Sequence, residues 1–167
     1  MADSDGPIYL DTNVFIFASE ETSERSDLLN RLFSLSFGRP VPAFATSELT
    51  IAELLVHPFK RQDTQMIEQY QRTVRSSQWL MVVPVNREIL EQSARLRAEG
   101  RKLKLPDAIH VATALAAKAR HILTADEGIR FQGDGVGAAT PSGTDEADRL
   151  LRPDIPTLTT LLESLSP

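Results

Sequence analysis

Residues 8–17 read IYLDTNVFIF, an apolar segment broken by one carboxylate, Asp11, and two small polar residues, Thr12 and Asn13. Ile8 to Leu10 follow Gly6-Pro7 and read as a short apolar strand, and residues 13–19 continue at helical spacing. An acid placed directly after a buried strand lies at the strand's carboxyl end, the edge where open α/β sheets hold their ligands. Working outward, apolar strand patterns at 41–45, 79–85 and 122–125 alternate with helical patterns at 26–37, 47–57, 64–77, 87–98 and 107–119. Asn86 caps one helix and Pro106 opens another, while Pro58 and Gly100 close the two before them. Alternation of this kind predicts an α/β fold: a mostly parallel central sheet of about four to five strands, flanked by helices.

The 167 residues predict a single domain over 1–167. Residues 132–149 hold four glycines, a proline and several acids and are expected to form a flexible loop within it. Leu158, Leu161, Leu162 and Leu165 then give one apolar face of a closing helix. Hydrophobic residues at 41% and charged residues at 25% belong to a globular chain and not a disordered one. No stretch is long and apolar enough to span a membrane, and the first residues lack a basic-then-apolar secretory pattern, so a cytoplasmic location is expected. A formal charge of −5 argues against a general nucleic-acid binder but leaves room for a local basic rim around an acidic centre.

Four acids sit in or against apolar runs: Asp11 in IYLDTNVFIF, Glu53 in LTIAELLV, Asp107 in LKLPDAIHVATAL and Asp126 in HILTADEGI. Shielding one carboxylate from water costs several kcal/mol unless a partner compensates. Taken singly, Asp11 also reads as a helix cap, Asp107 as a favourable first-turn charge and Asp126 as a loop acid. Together they point to a shared cation. Two carboxylates 4 Å apart repel by about 4 kcal/mol at an effective dielectric near 20, and a divalent ion reverses that sign. There is no cysteine, and His57, His110 and His121 are far apart, so oxygen ligands and Mg²⁺ or Mn²⁺ are favoured over zinc. Such a site suits in-line attack of water on a phosphodiester. Thr12, Asn13 and Thr124 are small polar neighbours able to hold a carboxylate or a water. Lys60-Arg61 and Arg101-Lys102-Lys104 are candidate phosphate contacts. His110, three residues after Asp107, reads as a buried structural imidazole.

The segments IYLDTNVFI, TSELTIAELL, KLPDAIHVATAL and ILTADEGI, in this order, resemble the PIN-domain nucleases, above all the VapC-type toxins of prokaryotic toxin–antitoxin pairs. The resemblance spans about residues 7–131. It implies a PIN fold, Mg²⁺- or Mn²⁺-dependent endoribonuclease activity, and family acids at Asp11, Glu53, Asp107 and Asp126, with the family's threonine or serine at Thr124. It also implies a homodimer, an RNA substrate and a VapB-type antitoxin whose tail enters the acidic groove. The glycine-rich stretch after Phe131 is longer than the family's compact ending. An orphan or housekeeping PIN nuclease and a catalytically silent PIN scaffold are the alternatives. A haloacid-dehalogenase-like phosphatase fits poorly, because the position two residues after its first aspartate is Asn13 and not an acid.

Overall fold

The computed structural model describes residues 6–99, 102–129 and 149–166. In chain order these form β1 (Ile8–Leu10), α1 (Thr12–Glu20), α2 (Glu24–Leu35), β2 (Phe44–Ser47), α3 (Leu49–Leu54), α4 (Val56–Arg61) and α5 (Thr64–Thr73). They continue through β3 (Leu80–Val83), α6 (Arg87–Ala98), α7 (Leu105–Ala116), β4 (His121–Leu123), β5 (Leu150–Leu151) and α8 (Ile155–Leu165). The strands make one sheet in the order β3-β2-β1-β4-β5, and every pairing is parallel.

The order follows from which strands must be covered on both sides. Ile8, Tyr9 and Leu10 are all fully buried, so β1 takes the centre. Successive side chains on a strand point to opposite faces. Ile8 and Leu10 accordingly join Phe44, Leu80 and Leu123 in a core with Val14 and Phe15 of α1, Leu28, Leu29 and Leu32 of α2, and the four leucines of α8. Tyr9 points the other way, into a cluster with Ala45, Ala114 and Ile122 beneath α7. α6 packs on α7 through Ile89, Leu96, Ala108 and Ala112. Helices thus cover both faces, as the apolar strands require.

Local signals set most helix starts. The side chains of Asn86, Asp63 and Asp154 accept from the backbone N–H three residues on, at 3.0, 3.0 and 2.9 Å. Pro106 sits in the first turn of α7, where its missing donor costs nothing.

Several expectations are corrected. The second strand runs over Phe44–Ser47 and not 41–45: Val41 is exposed, and the register pairs Phe44 with Ile8 on one side and Leu80 on the other. Ser47 therefore ends a strand, although its hydroxyl still accepts from Leu49 N at 3.1 Å. The single helix expected over 47–57 is two, broken at Leu55. Pro58 does not close a helix but lies in the first turn of α4, the only part of a helix that tolerates a missing N–H. Strand β5 was not anticipated from sequence. The fifth helix ends at Thr73, three residues after the buried Tyr70, and the third strand is confined to Leu80–Val83. The loop expected over 132–149 lies outside the described residues except for Arg149, and Gly100 and Arg101 lie outside them as well. Among the described residues no helix is long and apolar enough to cross a membrane.

Candidate active site

Parallel register delivers the first components to one edge. Leu10 lies opposite Leu123, and Leu123 opposite Leu151, so Asp11, Thr124 and Arg152 leave the sheet side by side at the carboxyl ends of β1, β4 and β5. The ladder continues one step past the strands: Asp11 N donates to Leu123 O at 3.1 Å and Thr124 N to Leu151 O at 3.0 Å.

Asp11 is 5% exposed. Its Oδ1 accepts from Thr12 N at 2.7 Å, which makes it the cap of α1 as well as a site acid. Its Oδ2 accepts from Asn13 Nδ2 at 2.7 Å and from the Thr124 hydroxyl. The cap and the binding reading of Asp11 are therefore compatible: the same hydrogen bonds that start the helix fix the direction of the carboxylate. Asn13 is bifunctional, because its Oδ1 also accepts from Ala125 N at 3.1 Å and ties the 124–126 turn to α1.

Glu53 comes in from α3. Its Oε2 accepts from the Thr12 hydroxyl and, at 2.8 Å, from His110 Nε2. His110 is 2% exposed, its Nδ1 lies 2.7 Å from the Tyr9 hydroxyl, and its Nε2 is also 3.5 Å from Asp11 Oδ1. Burial alone would push the imidazole down, but the hydrogen bond to Glu53 and the charges of Asp11, Glu53 and Asp107 outweigh it and hold His110 above its ordinary value. Burial likewise pushes Glu53 up, and the hydrogen bonds from His110 and Thr12 overcome it, leaving the carboxyl below its usual range. The two shifts agree on an imidazolium–carboxylate pair, its ring buried and its carboxylate partly exposed, in which both ring nitrogens donate. The charge partner of Glu53 is thus in the chain itself, 57 residues on.

Asp107 occupies the first turn of α7 and Asp126 the turn after β4. A Cβ placed on Gly128 would lie 3.0 Å from Asp126 Oδ1 and 3.7 Å from Asp107 Oδ2, so both carboxylates face the same piece of backbone. Asp126 accepts from Gly128 N at 2.7 Å, and its own N–H donates to the Thr124 hydroxyl at 2.9 Å. Asp107 is pushed above its ordinary value by burial, then by the charge of Asp126 and more weakly by that of Asp11; a backbone hydrogen bond at Lys104 and the Lys104 charge pull in the opposite direction. Asp107 is therefore repelled by Asp126 and by Asp11, while Glu53 is paired with His110, whose Nε2 also lies 3.5 Å from Asp11. Among the described residues, no three histidine or acid side chains already form a closed set able to hold a metal ion.

Sequence reasoning placed His110 correctly as buried but missed its hydrogen bond to Glu53. Its position three residues after Asp107 puts those two on the same side of a helix and so signals nearness to the site, but not the Glu53 partner. Tyr9 and Arg152 were not singled out. Arg152 Nη1 donates to the carbonyls of Thr124 at 3.0 Å and Asp126 at 2.7 Å. Lys60 and Arg61 lie in the last turn of α4.

Residues 8–132 match the family described as PIN domain. The chain belongs to the PIN domain family. Among solved structures, a chain of a toxin–antitoxin complex from Klebsiella pneumoniae is 27% identical, with a TM-score of 0.52 over 71% of this chain and 86% of that one. VapC20 of Mycobacterium tuberculosis, a Sarcin-Ricin loop cleaving toxin, is 20% identical, with a TM-score of 0.53 over 76% of this chain and 91% of that one, and at that identity shows the fold. A comparison with curated proteins gives no match. The five-stranded parallel sheet flanked by helices is consistent with the PIN fold, and the acidic edge lies entirely within the matched PIN segment.

The His110–Glu53 pair gives this PIN domain a pH signature. His110 has its folded value raised, so its contribution is complete below the unfolded value of about 6.5 and is lost as pH rises through the folded one. Glu53 is depressed, so its contribution is complete above about 4.3 and is lost as pH falls through its folded value. With chelator present, His110→Asn should lower Tm by about 3–12 °C near pH 6, the loss of one charge-assisted hydrogen bond in a domain of this size. The gap between parent and variant should narrow toward pH 9. Equal gaps at pH 6 and pH 9 in thermal melts would show that no imidazolium pairs with Glu53.

Proposed function

We propose that this PIN domain is a metal-dependent endoribonuclease that hydrolyses RNA phosphodiester bonds, and that it serves as the toxin of a VapBC-type toxin–antitoxin pair. The observation that carries the reading is the approach of Asp107 and Asp126 to the same backbone at Gly128, near Asp11 at the carboxyl edge of the sheet, with Asp107 raised by burial and then by the charges of Asp126 and Asp11. Support for the toxin role comes from the similar chain in the Klebsiella pneumoniae toxin–antitoxin complex, and the VapC20 likeness is in keeping with it. The whole chain is taken as one domain, because Leu158, Leu161, Leu162 and Leu165 of α8 share the core of β1 and α2.

The donor set fits Mg²⁺ or Mn²⁺. Carboxylate oxygens are the hard ligands these ions prefer, and the repulsion around Asp107 is what a cation relieves. Asp11, Asp107 and Asp126 would hold the ion, and Glu53, with Oε2 committed to His110 and Thr12, would reach it or its water through Oε1. When bound, such an ion shields phosphate charge and lowers the pKa of a coordinated water.

The remaining work belongs to the chain. Thr124 and Asn13 keep Asp11 Oδ2 pointed along one direction, so that no reorientation is needed when substrate arrives. The dipole of α7 supports the negative charge of Asp107 at its N-terminal turn. Lys104, exposed at the start of the same helix and close enough to pull on Asp107, offers a positive contact for the RNA backbone beside the acids. An antitoxin of the VapB type and a second copy of the chain are the partners proposed with this reading.

Asp107→Asn separates chemistry from folding. Because the ionised carboxyl is disfavoured in the folded state, its removal should leave the metal-free Tm equal to or above that of the parent at neutral pH. The same variant should lose the rise in Tm that Mn²⁺ gives the parent, and should cleave single-stranded RNA at least about 100-fold more slowly. Parent-level cleavage by Asp107→Asn would refute the assignment.

The toxin role has its own test. Induced expression of the parent should arrest growth, Asp107→Asn should not, and a small protein encoded next to the gene should relieve the arrest. Unimpaired growth with active parent protein would turn the reading toward a housekeeping nuclease.

A further inference from the structure

We infer that Arg152 is a positioning residue of the acidic site: its guanidinium holds the 124–126 turn, and through that turn sets Thr124 and Asp126 against Asp11. This rests on the metal-dependent nuclease reading proposed above and adds to it a residue from the far edge of the sheet.

One nitrogen of Arg152, Nη1, donates to two carbonyls of the same turn, Thr124 O at 3.0 Å and Asp126 O at 2.7 Å. Those two residues carry the side-chain contacts that define the site on this side. The Thr124 hydroxyl donates to Asp11 Oδ2 and accepts from Asp126 N at 2.9 Å, while the Asp126 carboxylate accepts from Gly128 N at 2.7 Å. Between them, Ala125 N donates to Asn13 Oδ1 at 3.1 Å. The turn is therefore held from α1 by Asn13 and from beyond β5 by Arg152. With the Arg152 hold removed, the two carbonyls lose their charged donor, and Thr124 keeps its backbone bond to Leu151 O while the carbonyl side of the turn that carries Asp126 is freed to shift.

The setting of Arg152 explains why so short a strand as β5 serves the site. Leu150 and Leu151 pair in parallel with Ile122 and Leu123, and that register places Arg152 directly beside the residues following β4. On its other side, Asp154 caps α8, whose leucines lie in the main core. The guanidinium thus projects from a segment fixed at both ends. Arginine suits the place because it stays charged at every accessible pH and presents several donors in a fixed plane.

An arginine that merely stapled the sheet edge would contribute to stability without affecting ion binding. The two roles are separated by Mn²⁺ titration of folded protein, followed calorimetrically, together with kcat and KM for single-stranded RNA. Arg152→Ala and Arg152→Gln should each weaken Mn²⁺ binding about 10–100-fold, as loss of an outer-shell partner does, and lower kcat by a similar factor. KM for RNA should stay within about two-fold, because the interaction lost acts on the reacting centre and not on uniform substrate binding. Arg152→Lys, whose ammonium can still donate to both carbonyls, should recover most of the Mn²⁺ affinity.

A folded Arg152→Ala or Arg152→Gln protein with the Mn²⁺ affinity and kcat of the parent overturns the inference while leaving the nuclease intact. A parent that neither binds Mn²⁺ nor cleaves RNA overturns the nuclease reading and this inference together. Failure of both neutral variants to fold, with Arg152→Lys folded, marks Arg152 as a structural staple and also overturns it.

Discussion

Asp11 leaves β1 with its amide still bonded to Leu123 O, so the direction of its carboxylate is an extension of the β1–β4 ladder. The rest of the acidic edge is built around that point. Thr124 reaches Asp11 because Leu123 is the partner of Leu10, and Asp126 reaches Thr124 because its N–H turns back onto the same hydroxyl. Parallel pairing makes such an edge possible: consecutive strands end on the same side, so residues far apart in sequence are delivered together without a long loop to position them. A slip of one residue in the β1–β4 register would send Tyr9 into the α1–α2 core and move Asp11 away from Thr124.

Two kinds of acid share the edge. Glu53 has its charge balanced within the protein by His110, itself held by Tyr9, and both members of the pair show shifts that favour the ionised forms. Asp107 has the opposite condition, a carboxyl raised by burial and by its neighbours, with Lys104 as the one modest relief. Removing Glu53 would strand the buried His110 charge, and the Tyr9–His110–Glu53 hydrogen bonds form one wall of the site. The repulsion felt by Asp107 is the reverse, a local cost that the proposed cation would relieve. The site thus divides into a neutralised, rigid side and a strained side.

Much of this was legible along the chain, for identifiable reasons. The apolar run around Asp11, the cap Asn86 and the leucine face of α8 are local signals, and the structure follows them; α6 runs from Arg87 to Ala98 as its cap and spacing predict. Where pairing between distant strands decides, local reading slipped. Residues 41–45 have strand character, yet the register of β1 and β3 selects Phe44–Ser47. Pro58 reads as a stop, but a break at Leu55 lets it begin a new helix. His110 was legible as buried, and its partner was not, because Glu53 lies on another helix and no spacing rule connects the two. β5 has only two residues, too few for any periodic pattern, so Arg152 carried no sequence signal at all.

The claim on which all of this depends is that Asp11, Asp107 and Asp126 converge to share a cation. Anomalous diffraction from crystals soaked in Mn²⁺ tests it most directly. The account predicts a single strong peak at about 2.1 Å from oxygens of Asp11 and of Asp107 or Asp126, with Glu53 still bonded to His110. A fully soaked crystal with no peak among these three carboxylates, or with its peak on residues elsewhere, would contradict it.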